Sequence, residues 1–253
     1  MSELKVIRFE PQLPAGRAFP CWPDMPADSL ESGSPVQSGH VYFEDAGIGL
    51  SAGVWECTAF TSRLEPYPVH EFMLLLEGEV TIVEAGGRET TVKAGESFVI
   101  PRGLPCRWVQ KSKVKKYYVI YEPKDEAANA SSASQVIKPD HHRAPKEPSP
   151  PPPSEVLNGP VPEQHGQDCY VDPSGRFQIG TWDTSYYHRK VVPFPRYELM
   201  HFLEGGVSTT DAAGNTQSFK AGDTLFIPMG ARADFKVAGD YLRKIYVIFA
   251  PGA

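Results

Sequence analysis

The feature that most constrains this chain is that it repeats itself. Gly53-Val54-Trp55-Glu56 matches Gly180-Thr181-Trp182-Asp183, and Glu71 through Gly78 matches Glu198 through Gly205. Lys93 through Pro101 matches Lys220 through Pro228. All three blocks share the shift that takes Glu71 to Glu198, so the alignment runs without a gap from Gly53 to Gly103. About a third of its positions are identical. After one inserted residue it resumes, with Lys116-Tyr117-Tyr118-Val119-Ile120-Tyr121 against Lys244-Ile245-Tyr246-Val247-Ile248-Phe249. A match this long and this well registered marks a duplication, and two domains of one fold follow.

The 253 residues are enough for two ordinary domains. Each copy reads as strands. Phe72-Met73-Leu74-Leu75-Leu76 and Ser97-Phe98-Val99-Ile100 are short apolar runs bounded by glycine, proline and acidic residues. Glu84 through Arg88 and Asp211 through Asn215 read as hairpin turns. With 25 prolines and 22 glycines, turns between short strands are favoured over helices. The expected fold is all-β, two tandem jelly-roll barrels. The expected domains are 1–125, an N-terminal arm and first barrel, and 161–253, the second barrel. Residues 126–160 form a linker between them, flexible where small and polar, stiff at Pro148-Ser149-Pro150-Pro151-Pro152-Pro153. Asp140-His141-His142 falls in this linker and is read as solvated. Pro20-Cys21-Trp22-Pro23 reads as an anchored extended segment.

A net charge of -6 argues against a nucleic-acid partner. The one basic run, Lys111-Ser112-Lys113-Val114-Lys115-Lys116, is read as a solvated turn or strand edge. No signal-like or membrane-spanning segment stands out, so a membrane partner is not expected. Cys21, Cys57, Cys106 and Cys169 are far apart, as suits reduced thiols and a cytoplasmic location.

The motifs resemble those of the cupin superfamily. Glu71 and Gly78, and likewise Glu198 and Gly205, fit the end of its first motif. Gly95, Pro101 and Gly103, and likewise Gly222, Pro228 and Gly230, fit its second. Gly-Val-Trp-Glu-Cys-Thr and Lys-Tyr-Tyr-Val-Ile-Tyr-Glu-Pro look most like the subgroup of ethanolamine-utilisation cupins and ureidoglycine aminohydrolase-like cupins. The resemblance implies a bicupin, each half a double-stranded β-helix, pairing in-chain or as a homodimer. It also implies a divalent metal held by a His-x-His pair, the motif Glu and a second-motif His.

This chain departs from that pattern. Where the histidines belong, the first copy has Glu65 and Tyr67, or Leu64 and Pro66, then Cys106; the second has Val192 and Phe194, or Val191 and Pro193, then Ala233. The expectation is therefore a small-molecule-binding bicupin with no cofactor, its pocket in the first barrel. Glu65, Tyr67, Glu71, Cys106, Trp108 and Trp55 are the candidate ligand-binding residues, for a small polar metabolite such as an amine. A transition metal, if bound, would take Glu65, Glu71 and Cys106. The second barrel is expected to be structural or an apolar pocket, with Glu198 hydrogen-bonded because a buried lone carboxylate is costly. Alternation puts Met73 and Leu75 inward and His70 on the opposite face, at a surface or interface. The alternatives left open are a metal-dependent enzyme resembling ureidoglycine aminohydrolase and a structural or regulatory interaction protein.

Overall fold

A computed structural model describes residues 4–14, 17–124 and 135–251. The described chain is built of antiparallel strands and divides into two compact units. Among the described residues no helix is long and apolar enough to cross a membrane.

In the first unit, Glu10–Pro139 with Asp172–Ser174, two sheets form the barrel. One carries Ser97–Ile100, His70–Glu77, Val114–Tyr121, Leu50–Cys57 and Gln37–Asp45 in that order. The other orders Leu30–Gly33, Phe60–Ser62, Pro105–Gln110, Glu79–Glu84 and Glu89–Lys93. Period-2 alternation places Met73 and Leu75 in the barrel's hydrophobic cluster with Trp55, Ile82, Phe98 and Trp108. Trp22 is anchored as the sequence implies. Its N–H donates to the Gln37 carbonyl at 2.9 Å, and its ring meets Tyr118 edge-on.

The second unit comprises the described parts of Met1–Phe9, Asp140–Val171 and Gly175–Ala253. Here two long strands, Tyr197–Thr210 and Arg232–Phe249, each replace a pair of shorter strands in the first copy, so one continuous sheet wraps the core. Both copies keep a glycine, Gly53 and Gly180, where an added Cβ would run into the neighbouring strand's carbonyl and a tyrosine hydroxyl, Tyr118 or Tyr246. That close approach explains why the motif glycine recurs.

Three expectations change. The domain boundaries differ, because the segment read as a linker is divided between the barrels. Ile137 bridges Val99 of the first, while Glu147–Pro148 pairs with Gln164–Val171 of the second. The first part of that linker, 126–134, lies outside the described residues. The N-terminal arm, Ile7–Phe9, pairs with Thr224–Ile227 of the second barrel, at the position that Ile137 takes in the first. The basic run is solvated only at its start: Lys115 and Lys116 are buried on the strand Val114–Tyr121. His70 obeys its parity but is fully buried. Its ring stacks on Tyr121, and its Nδ1 accepts from the Arg102 N–H at 3.2 Å.

Candidate functional site

Each barrel is organised around its motif glutamate, and each glutamate meets a lysine from the last long strand. In the first barrel Lys116 Nζ donates to Glu71 Oε1 at 2.8 Å, and both side chains are under a tenth exposed. The ammonium also lies 3.0 Å from Met73 Sδ and 4.8 Å from the ring centroids of both Trp55 and Trp108. Glu71 Oε2 accepts from the Tyr67 hydroxyl. Burial first, then the neighbouring Glu71 carboxylate, push the Tyr67 pKa well above its ordinary value, so the phenol stays a donor.

The second barrel repeats the arrangement. Lys244 Nζ donates to Glu198 Oε1 at 2.6 Å and sits 4.7 Å from the Trp182 centroid and 5.9 Å from that of Phe235. Trp182 and Phe235 are the repeat mates of Trp55 and Trp108. The repeat mate of Tyr67 is Phe194, which has no hydroxyl. Arg196 takes over that role, its Nε donating to Glu198 Oε2 at 3.0 Å. Burial alone would raise the Glu198 pKa, but Lys244 and Arg196 outweigh it and hold the carboxyl below its ordinary value. The carboxylate is thus hydrogen-bonded, as its burial demands.

The two lysines are the residues that motif reasoning missed. A strand-interior lysine at the same aligned position in both copies, beside a motif glutamate also present in both, was the available signal. An ammonium enclosed by a carboxylate and aromatic faces is satisfied both by ion pairing and by cation–π attraction.

The residues expected to form the first-barrel site are only partly brought together. Glu71 and Trp55 line a cavity of about 450 Å³ with Glu44, Ser51 and Lys116. Tyr67 touches Glu71. Trp108 and Cys106 are packed into the hydrophobic cluster. Glu65 is exposed on the two-residue strand Glu65–Pro66. Burial, then the charge of Glu84, push the Cys106 thiol up to about 11, so it is a neutral thiol at neutral pH.

The donors therefore do not fit the metal that the fold family implies. No histidine reaches either glutamate, Glu65 and Cys106 do not converge with Glu71, and the lysine ammonium already neutralises the carboxylate. Among the described residues no group of three or more His, Cys, Asp or Glu side chains is placed to hold a metal ion.

The second barrel, expected to be structural or an apolar pocket, has a cavity whose lining is mainly apolar but also carries charged side chains. That unit carries a partly open cavity of about 580 Å³, lined by Arg189, Arg196, Glu198, Lys244, Gln164 and Tyr187 among others. Ser149 through Pro153 form part of its wall. The proline segment read as a spacer is thus part of a chamber, and its stiffness suits a wall that keeps its shape. The motif positions Val192 and Ala233 carry no donors, and the positive charges come instead from positions outside the motif.

The comparisons agree with this architecture. A solved structure of a protein of unknown function in the DUF861 family, from Pseudomonas syringae pv. tomato, superposes with a TM-score of 0.79. It is 26% identical over 97% of this chain and 100% of its own. Two more distant structures share the fold. The protein Ylba of E. coli, also DUF861, has a TM-score of 0.56 at 10% identity, over 99% of this chain and 93% of its own. A putative dioxygenase of Nostoc punctiforme has a TM-score of 0.60 at 12% identity, over 97% and 83%. No curated protein matches the sequence. The EutQ-like cupin domain matches twice, over residues 45–118 and 171–246, once in each barrel and over more than half the chain. With two barrels, two motif glutamates at one register and this double match, the chain belongs to the EutQ-like cupin domain family.

Proposed function

We propose that the protein is a small-molecule-binding bicupin that works without a metal centre, and that its binding chamber is the cavity of the second barrel. The observation that carries this reading is the contrast between the two interiors. The first barrel's cavity, about 450 Å³, offers one cation, Lys116, which is already paired with Glu71. The second barrel's cavity, about 580 Å³, adds Arg189 and Arg196 to the paired Lys244 and Glu198, and its volume suits a small organic ligand. Its walls combine flat aromatic faces with a few convergent polar groups, as recognition sites do.

Tryptophan placement makes this testable. The chain has four tryptophans, and Trp182 is the one that belongs to the second barrel. In a screen of small metabolites grouped by charge, a ligand should change the intrinsic fluorescence of the full chain. That response should disappear in Trp182→Phe and persist in Trp55→Phe. The opposite pattern would put the chamber in the first barrel.

A further inference from the structure

One group in the second-barrel chamber lacks a counterpart. Arg189 leaves the strand His188–Pro193 with its guanidinium carbon 4.4 Å from the Phe194 ring centroid. Its Nε and Nη2 are buried and have no hydrogen-bond partner. Among the described residues no carboxylate forms an ion pair with it: Asp234 is engaged by His188 and the Thr210 N–H, and Glu198 by Lys244 and Arg196. Donors buried without partners are costly, and a protein that keeps them in a cavity wall has a use for them.

Charge points the same way. Arg189, Arg196 and Lys244 line the cavity, and Glu198 is the one acidic side chain among its lining residues. Both oxygens of Glu198 are taken, so two positive charges remain uncompensated. The first barrel has no such surplus. The repeat mates of Arg189 and Arg196 are Ser62 and Val69. The two guanidiniums are therefore particular to the second copy of a shared scaffold.

Resting on the assignment of the chamber to the second barrel, we infer that this barrel takes a small organic anion. The carboxylate of that anion is gripped by the Arg189 guanidinium, and its flat apolar body lies among Trp182, Tyr187 and Phe235. A guanidinium presents a planar fork of N–H donors that matches a carboxylate two-for-two. Stacking on Phe194 fixes the plane of that fork. Tyr187 and Phe235 stack with centroids 5.7 Å apart, Trp182 meets Tyr187 edge-on at 6.3 Å, and all three rings line the cavity. Such a lining favours an organic acid over inorganic phosphate, which would leave those faces unused. Burial lowers the guanidinium pKa, but arginine keeps its proton in proteins, so the grip holds across the physiological range.

The test uses the full chain, with benzoate and phenylacetate as probes and benzamide, benzylamine and inorganic phosphate as controls. Binding is followed by calorimetry and by Trp182 fluorescence. The acids should bind, and the amide, amine and phosphate should bind at least tenfold more weakly. Arg189→Gln should weaken the acids about a hundredfold, the loss expected when one partner of a desolvated charge pair is truncated. It should not lower the melting temperature, because it removes a charge with no partner in the free protein. Ser62→Ala, the same register position in the first barrel, should change nothing. Equal binding of the acids to Arg189→Gln, a preference for the amine or phosphate, or no binding of either acid at millimolar concentration would each overturn the inference. A preference for the amine that still depends on Trp182 would leave the chamber assignment standing. A response lost only in Trp55→Phe would defeat both.

Discussion

Lys116→Met should destabilise the first barrel by about 3–5 kcal/mol, the cost of leaving a buried carboxylate without its countercharge. Glu71 would keep only the Tyr67 hydroxyl, a neutral donor, in a site where both ion-pair partners are under a tenth exposed. Methionine nearly preserves the lysine's length and apolar stem, so packing against Trp55 and Trp108 is largely retained and the loss reports the charge. Pairing it with Glu71→Gln should recover most of the stability. The amide can still accept from Tyr67, and replacing a whole buried pair by uncharged groups is often neutral. Lys244→Met should cost less than Lys116→Met, because Arg196 still neutralises Glu198. Denaturant midpoints of these variants read the differences directly. A Lys116→Met protein as stable as the parent would mean that the ion pair is not what satisfies Glu71.

The second large effect depends on pH. His201 occupies the position that Leu74 holds in the first copy, with its Nδ1 2.8 Å from Thr224 Oγ1. Burial first, then the nearby His141, lower its pKa to about 4 from an ordinary 6.5. The folded protein therefore keeps the ring neutral, while the unfolded chain takes up a proton as pH falls below that ordinary value. Stability is fully present above it and is lost progressively as pH falls towards 4. Between pH 7 and pH 5 the loss from this group should be about 2 kcal/mol. His201→Gln keeps a hydrogen-bonding side chain beside Thr224 but cannot titrate. Its urea midpoint should fall that much less over the same interval. Parallel pH profiles for the two proteins would show that the ring is not held neutral.

Much of the fold is legible because the duplication is. A single register ties Glu71 to Glu198, fixes the two hairpins, and assigns Met73 and Met200 to the inside. Parity gave His70 its face but not its burial, since alternation says which way a side chain points and nothing of what covers that face. The site is harder to read. Lys116 was hidden at the end of a basic run whose first members are exposed, and composition cannot separate a lysine on a turn from one two pleats further into a strand. Pro148 through Pro153 announced stiffness, yet a stiff segment serves equally as spacer or wall, and sequence does not say where it lies. Arg189 and Arg196 belong to no motif. They stand out only as differences between the two copies, and whether such differences face a cavity depends on the path of the bend through Phe194 and Pro195 that joins two strands.

In each barrel, on this reading, a lysine ammonium stands in for the cation that the scaffold would otherwise hold. Metal analysis of the full chain, isolated without chelator and then dialysed against manganese, iron, nickel and zinc in turn, tests that substitution most directly. The expected content is below about a tenth of an equivalent of each metal per chain. A stoichiometric ion that is lost in Glu71→Gln or Glu198→Gln would contradict it.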